Sequence, residues 1–281
     1  MANIRSIEEA DLPAVVTLMC ESFPRRDRAY FETGLQRLAQ REIPEGTEPY
    51  GLLIDDDGVK GAVLAISSWH GSAEKRQLFV NISTWCVAPS HRGEMARELY
   101  RRAGERDDAV NTNLSAAAHT LKTLGRFNFR PWTTGQFIGV AFRSHRKAAR
   151  ILSPEQALLR GLPQSEFKKL QDHVSLGGLA ICVATADRIM PIILVRRRVQ
   201  KVVPAAQLIY CENVPWLLEH GGALLWWLRA RGFIGLIIDA NEPPPGMVGK
   251  FYPGKAAKYV RGQEPAIDVD HTYSELLYLG L

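Results

Sequence analysis

Apolar and polar positions alternate along Phe79-Val80-Asn81-Ile82-Ser83-Thr84-Trp85-Cys86-Val87, the period of a half-buried strand. Pro89 interrupts it. From Arg92 the period changes: Met95, Ala96, Leu99, Tyr100 and Ala103 recur at helical spacing, with Arg97, Glu98, Arg101 and Arg102 on the opposite side. A strand therefore leads directly into an amphipathic helix. Upstream, Ile4–Leu12 predicts a short strand followed by a helix start at Asp11, with Pro13 just inside. Leu12, Val15, Val16, Met19 and Phe23 form that helix's apolar face. Strands are also expected over 50–54 and 59–67, and Ala109–Asn113 predicts a short strand before a second helix start at Leu114–Ala117, ending near Gly125.

The same order of elements recurs downstream. Gly178–Ala184 and Met190–Arg198, separated by the turn Thr185-Ala186-Asp187-Arg188, predict two strands. Gln207–Glu212 predicts a third, followed by Pro215, a helix over Trp216–Arg231 and a strand over Phe233–Asp239. Tyr273–Leu281 is expected to be a final strand. The duplicated order implies two units, over residues 1–142 and 176–281. A polar helical connector over 143–175 joins them, broken at Pro154 and Pro163.

A chain of 281 residues with 46% apolar composition supports real cores and argues against disorder. Its net charge of +5 suits an anionic ligand without calling for nucleic acid. The densest basic run, Arg143–Arg150, is either a polyanion contact or a solvated linker surface. The apolar stretches Leu179–Val195 and Gly221–Ile238 are interrupted by Asp187, Arg188, Arg229 and Arg231, so neither a membrane span nor a signal peptide is expected. Cys20, Cys86, Cys182 and Cys211 are isolated singletons without metal-ligand spacing, consistent with reduced thiols in a cytoplasmic protein and with no metal.

The strand-to-helix junction Val87-Ala88-Pro89-Ser90-His91-Arg92-Gly93-Glu94-Met95-Ala96 carries the candidate chemistry. Free backbone N–H groups at a helix start, with the positive end of its dipole and Arg92 alongside, suit a phosphate or pyrophosphate. At these residues the chain resembles the GNAT family of acyl-CoA N-acyltransferases, whose loop is Arg/Gln-x-x-Gly-x-Gly/Ala a few residues after Val-x-Pro. Val87-Ala88-Pro89 and Arg92-Gly93 fit. Met95 and Arg97 stand where the family has glycine, or else the loop is one residue short and Ala96 takes the last glycine's place. Asn113 and Ala116 match a family Asn-x-x-Ala, and the strand-helix opening is similar too, so the likeness covers about the first 140 residues.

The resemblance implies an α/β (α+β) fold of two GNAT-like units, each a mixed, mostly antiparallel sheet flanked by helices. It implies a substrate, acetyl-CoA or another acyl-CoA, and transfer to a small-molecule or peptide amine. Trp85, Cys86 and Val87 would line the pantetheine and acyl group, Arg92, Gly93, Glu94, Met95 and Ala96 the pyrophosphate, and Asn113 would also contact the cofactor. The family often places a Tyr after this Asn to reprotonate the thiolate; His119 is the titratable group near that place. No carboxylate lies on Phe79–Val87, which leaves Ser83 through a water, Glu21, Glu212 or, by analogy with tandem N-myristoyltransferases, the terminal carboxylate of Leu281 as base. Glu219-His220-Gly221-Gly222-Ala223 lacks a cation comparable to Arg92, so the second unit is expected to be degenerate for cofactor and to complete the acceptor cleft. Two other readings stay open: a catalytically silent GNAT-like module that binds a ligand or partner, and a transferase using aminoacyl-tRNA, which the run Arg143–Arg150 would serve. Oligomeric state is not legible.

Overall fold

The computed structural model describes residues 2–71, 75–142 and 149–280, and of 141 and 142 the backbone only. In chain order the elements begin with strand β1 (Asn3–Ser6), helices α1 (Leu12–Ser22) and α2 (Arg28–Ala39), and strands β2 (Gly51–Asp55), β3 (Val59–His70) and β4 (Gln77–Val87). Helix α3 (Glu94–Ala103), strand β5 (Val110–Asn113), helix α4 (Leu121–Arg126) and strands β6 (Arg130–Phe142) and β7 (Arg150–Leu152) follow. Next come helices α5 (Pro154–Leu158) and α6 (Gln164–Ser175), strands β8 (Leu179–Ala184), β9 (Ile189–Val199) and β10 (Val203–Cys211), and helices α7 (Val214–His220) and α8 (Gly222–Arg229). Strands β11 (Gly235–Ala240), β12 (Met247–Gly262) and β13 (Val269–Asp270) and helix α9 (Glu275–Tyr278) complete the chain.

Contacts divide these elements into two compact units, neither of them one continuous stretch. The first comprises Met1–Trp132, Lys258–Glu264 and Tyr273–Leu281, the second Thr133–Ala257 and Pro265–Thr272. The fold is mixed α/β in each.

In the first unit the strands run in the order β1-β2-β3-β4-β5-β12. All pairs with an assigned register are antiparallel except β4 with β5, which is parallel. A parallel pair needs a crossover, and α3 supplies it. Leu78, Val80 and Ile82 on one face of β4 pack with Ala96, Leu99, Tyr100 and Ala103 of α3. Phe79 on the other face packs with Val110, Val260 and Trp132. Thus β4 is buried on both faces, not the one that alternation predicts, because α1 also packs against it. Asp11 does precede α1, but its carboxylate accepts from Arg5 and from the Glu8 N–H, not from the helix it begins.

The second unit has the order β12-β6-β11-β10-β9-β8-β7, with β13 added on β10. Here β10 and β11 form the parallel pair, with α7 and α8 in the crossover. Met190, Ile192, Leu194, Leu208, Leu225, Leu228 and Leu236 belong to its core. Pro154 sits in the first turn of α5 and Pro163 at the N-cap of α6, both where a missing N–H is tolerated.

Three local expectations are corrected. The helix over Trp216–Arg231 is two helices, because Gly221 ends α7 and caps α8, and glycine is the weakest helix former after proline. The chain over Leu114–Ala117 is a loop, and helical turns begin only at Ala118. The end of the chain is the helical turn α9 instead of a strand: Leu276, Leu277, Tyr278 and Leu279 are all buried, which one face of a half-buried strand could not achieve. Of the basic run Arg143–Arg150, residues 143–148 lie outside the described residues. Among the described residues no helix is long and apolar enough to cross a membrane.

Candidate functional site

The first unit's parallel pair comes apart. Pairing of β4 with β5 stops at Asn81 with Thr112, whereas β4 runs on to Val87. At the same place the β3–β4 register slips. Ala62 faces Cys86 and Leu64 faces Ser83, so Thr84 and Trp85 together oppose Val63. This is a β-bulge, which bends its strand. Thr84 adopts φ 51°, a left-handed conformation that costs a β-branched residue about 1–3 kcal/mol and persists where the surroundings enforce it.

A cavity of about 200 Å³ lies at this fork. Ser83, Thr84 and Trp85 of β4 form one wall, and Asn113, Ser115, Ala116 and Ala117 after the parting of β5 form another. Tyr100 of α3 closes its inner side, and Phe23, Arg26, Tyr30 and Phe31 line it from α2 and the residues before it. The Arg26 guanidinium sits 4.4 Å above the Tyr30 ring, a favourable cation–π geometry. The Asn113 Nδ2 donates to Tyr100 Oη at 2.9 Å, and the Tyr100 ring meets Trp85 at 4.9 Å and Phe127 at 5.7 Å. Burial pushes the Tyr100 phenol well above its ordinary range, so it remains a proton donor at any pH of interest. Among the described residues the buried Asn113 Oδ1 and Trp85 indole N–H have no hydrogen-bond partner.

Beyond the fork, β4 leads into a turn and then α3. Gly93 is the N-cap at φ 108° with no capping side chain, and a Cβ there would meet nothing within 4 Å. Arg97 N–H is the one that reaches back to Gly93 O, at 3.1 Å, so the N–H groups of Glu94, Met95 and Ala96 have no acceptor within the helix. The turn is pinned by His91, whose Nε2 lies 3.0 Å from Asp56 Oδ2 and whose Nδ1 lies 2.8 Å from Ser90 Oγ. Arg92 is exposed, its Nε donating to Val87 O at 3.3 Å. Glu94 is an exposed carboxylate in the first turn of α3, where it complements the same dipole that an anion would use.

Trp85, Asn113 and His119 thus come together around one cavity, and Arg92, Gly93, Glu94, Met95 and Ala96 gather at one helix start. Met95 is half-buried, Ala96 is buried and Arg97 points to solvent. The Cys86 and Val87 side chains are buried, and burial pushes the Cys86 thiol up to about 12. Glu212 stands at the end of β10 in the second unit, 3.8 Å from Arg188. Leu281 lies outside the described residues. Sequence reasoning did not single out Tyr100, Ser115 or Glu275. By spacing Tyr100 falls among the apolar positions of its helix, and a hydroxyl on such a stripe is the signal that marks it. Among the described residues no group of three or more His, Cys, Asp and Glu side chains is placed to hold a metal ion.

No family model matches the sequence, and no curated protein does. Solved structures do match its fold. A GCN5-related N-acetyltransferase from Anabaena variabilis superposes over 93% of this chain and 73% of its own length, at TM-score 0.57 and 9% identity. One from Kribbella flavida covers 93% and 72%, at TM-score 0.54 and 14% identity. A putative acetyltransferase from Pyrococcus horikoshii covers 99% of this chain and 95% of its own, at TM-score 0.50 and 13% identity. The chain carries the fold of the GCN5-related N-acetyltransferases.

Proposed function

We propose that this protein is an acyl-CoA-dependent N-acyltransferase, with the acyl-CoA bound at the fork of the first unit. The parting of β4 from β5 over a cavity, next to a helix start with open N–H groups, carries this reading. The free edge of β4 beyond Asn81 offers backbone groups to the amides of pantetheine. The Glu94, Met95 and Ala96 N–H groups, with Arg92, take the pyrophosphate. The thioester then lies between Trp85 and Tyr100, and a small-molecule or peptide amine enters past Arg26 and Tyr30. The amine attacks the carbonyl carbon, and strand N–H groups stabilise the oxyanion. Tyr100 and His119 are two of the donors lining the cavity that could serve the departing thiolate, and burial keeps Tyr100 protonated.

Calorimetric titration with acetyl-CoA tests this. Binding in the micromolar range, weakened at least tenfold in Arg92→Glu, is expected; no binding of acetyl-CoA or longer acyl-CoAs would overturn it. A second reading, a ligand-binding module without transfer, is favoured by Glu94 and Met95 at the helix start, and binding without thiol release from acetyl-CoA would select it.

A further inference from the structure

Among the described residues no carboxylate lines the cavity, yet one lies immediately behind its wall. Glu275, the first residue of α9, is 0% exposed, and its carboxyl meets the side chains of Ser115 and Asn81. Its backbone N–H donates to Asn81 Oδ1 at 3.0 Å, and Asn81 Nδ2 in turn donates to Thr112 Oγ1 at 3.2 Å. Asn81 and Thr112 are the last pair of β4 with β5, so α9 starts at the point where the fork opens. Ser115, an exposed residue of the cavity wall, has its hydroxyl beside the carboxyl, and Tyr100 of the facing wall senses its charge.

We infer that Glu275 holds the proton of the attacking amine, delivered to it through Ser115. The inference rests on the acyltransferase reading above. Ser115 is the group that meets the amine; Glu275 is a positioning residue for the proton. As the amine nitrogen bonds to the thioester carbon, it gives its proton to Ser115 Oγ, which passes its own to Glu275. The carbon–sulfur bond breaks with its electron pair on sulfur. Tyr100 protonates that thiolate and recovers a proton from Glu275, so the wall ends as it began and the products are an amide and free coenzyme A.

A buried carboxylate kept for structure has its oxygens satisfied. The second unit shows this: Asp239, equally buried, accepts from Gln136 Nε2 and Gln207 Nε2, each at 2.8 Å. Beside the Glu275 carboxyl stand the Ser115 hydroxyl and the Asn81 side chain instead of a pair of anchored glutamine amides, and burial raises its proton affinity, in the direction that suits a base working near neutral pH. Several charged groups face it or its helix. Lys258 of β12 is 2% exposed and donates to Leu114 O at 2.6 Å, and it opposes the rise. Arg37 of α2 reaches the carbonyls of Leu277 and Tyr278 at 3.4 Å, and Arg41 lies near Tyr278. His70 of β3 stacks on Phe79 and meets the Tyr273 ring at 6.1 Å.

The test compares the full-length wild type with Glu275→Gln and Ser115→Ala, using acetyl-CoA and methylamine as probes. Acetyl-CoA affinity by calorimetry should stay within about twofold in both variants, while thiol release falls about 100-fold or more, as for a lost general base. Loss of the acidic limb of the pH profile in Glu275→Gln is the readout that a merely structural role would not move. Infrared titration should show a carboxyl band that disappears only above the usual carboxylate range in wild type, shifts in Ser115→Ala and is absent from Glu275→Gln. Wild-type rate and pH profile in Glu275→Gln would overturn this inference alone, as would a Glu275 carboxyl ionised down to the usual carboxylate range. A wild type that binds no acetyl-CoA overturns the parent reading and this inference with it. If wild type binds but releases no thiol, the infrared titration decides.

Discussion

Each unit contains a parallel strand pair joined by a crossover helix, and the two pairs end differently. In the first, β4 continues past its last pairing with β5 into an open fork, and α3 begins at Gly93 with no side chain over its N–H groups. In the second, pairing of β10 with β11 stops at Gln207 with Ile237, but β10 does not remain free. The strand β13 pairs with it there, Tyr210 facing Asp270 and Cys211 facing Val269, and His271 N–H donates to Ile209 O at 2.8 Å. Its crossover helix is sealed as well: Asn213 Oδ1 accepts from Trp216 N–H at 2.8 Å, and Pro215 removes another donor. Backbone groups that the first unit leaves open are satisfied in the second by its own chain. Under the reading proposed above, a recurring parallel pair therefore does not bring a second site; what decides is which hydrogen-bonding groups the fold leaves open.

The comparison predicts one acetyl-CoA per chain, never two, and it is most severely strained by changing the open fork. Tyr100→Phe keeps the ring packed against Trp85 and Phe127 but removes the hydroxyl that accepts from Asn113. Thiol release from acetyl-CoA in single-turnover measurements should fall about 10²–10⁴-fold with affinity little changed, the loss typical of a missing acid. An unchanged rate would move the donor role to His119.

The second fork breaks through stability instead. Asp239→Ala removes the acceptor of two buried amides and leaves Gln207, which also accepts from Arg197 at 2.8 Å, without one of its partners. Each buried amide left without its acceptor costs about 1–3 kcal/mol, which a urea midpoint would register. Acetyl-CoA binding in the surviving folded protein should be unaltered. A second bound acetyl-CoA in this variant would show that the closed fork is only masked.

The pH dependence of stability separates the units by sign. His173 of the second unit is held down to about 4 from an ordinary 6.5, chiefly by burial. The unfolded chain takes up this proton first, so His173 contributes stability above about pH 6.5 that is lost as pH falls toward 4, amounting to about 3 kcal/mol. His173→Gln should flatten that limb of urea midpoint against pH. Glu275 acts oppositely: its raised proton affinity means stability that is present in acid and lost as pH rises through its folded value. If Glu275→Gln left the alkaline limb unchanged, its burial would carry no charge penalty.

Most of this fold was legible where period and turn chemistry agree. Strands β8, β9 and β10 and the junction from β4 into α3 were predicted within a few residues, because their apolar spacing matches the backbone period. The fork was not. Nothing in Ser83-Thr84-Trp85 marks a bulge, since the slip arises from pairing with β3 and not from local preference. Nor did Glu275 stand out: a glutamate beside Ser274 looks like a solvated position, and only the long-range hydrogen bond to Asn81 places it inside. Tyr273–Leu281 reads as a strand from sequence because a run of apolar residues without strict alternation is ambiguous between the two periods.

The smallest effect concerns the open fork's helix start. Glu94 places a carboxylate in the first turn of α3, exposed and among the N–H groups assigned to the pyrophosphate. Its charge stabilises the helix by an interaction of about 0.3–1 kcal/mol, and the same field is then unavailable to an incoming anion. Glu94→Gln keeps size and polarity while removing the charge, so helix stability should fall slightly as acetyl-CoA affinity rises by about two- to fivefold at low salt. The gain should shrink as ionic strength increases, because both charges are exposed and screened. Dephospho-CoA and CoA should gain equally if the pyrophosphate is the group at Gly93–Ala96, since they share it and differ only at the ribose. A gain confined to CoA would place the 3′-phosphate at α3, and no gain with either would mean that the open N–H groups of this helix face water and not the ligand.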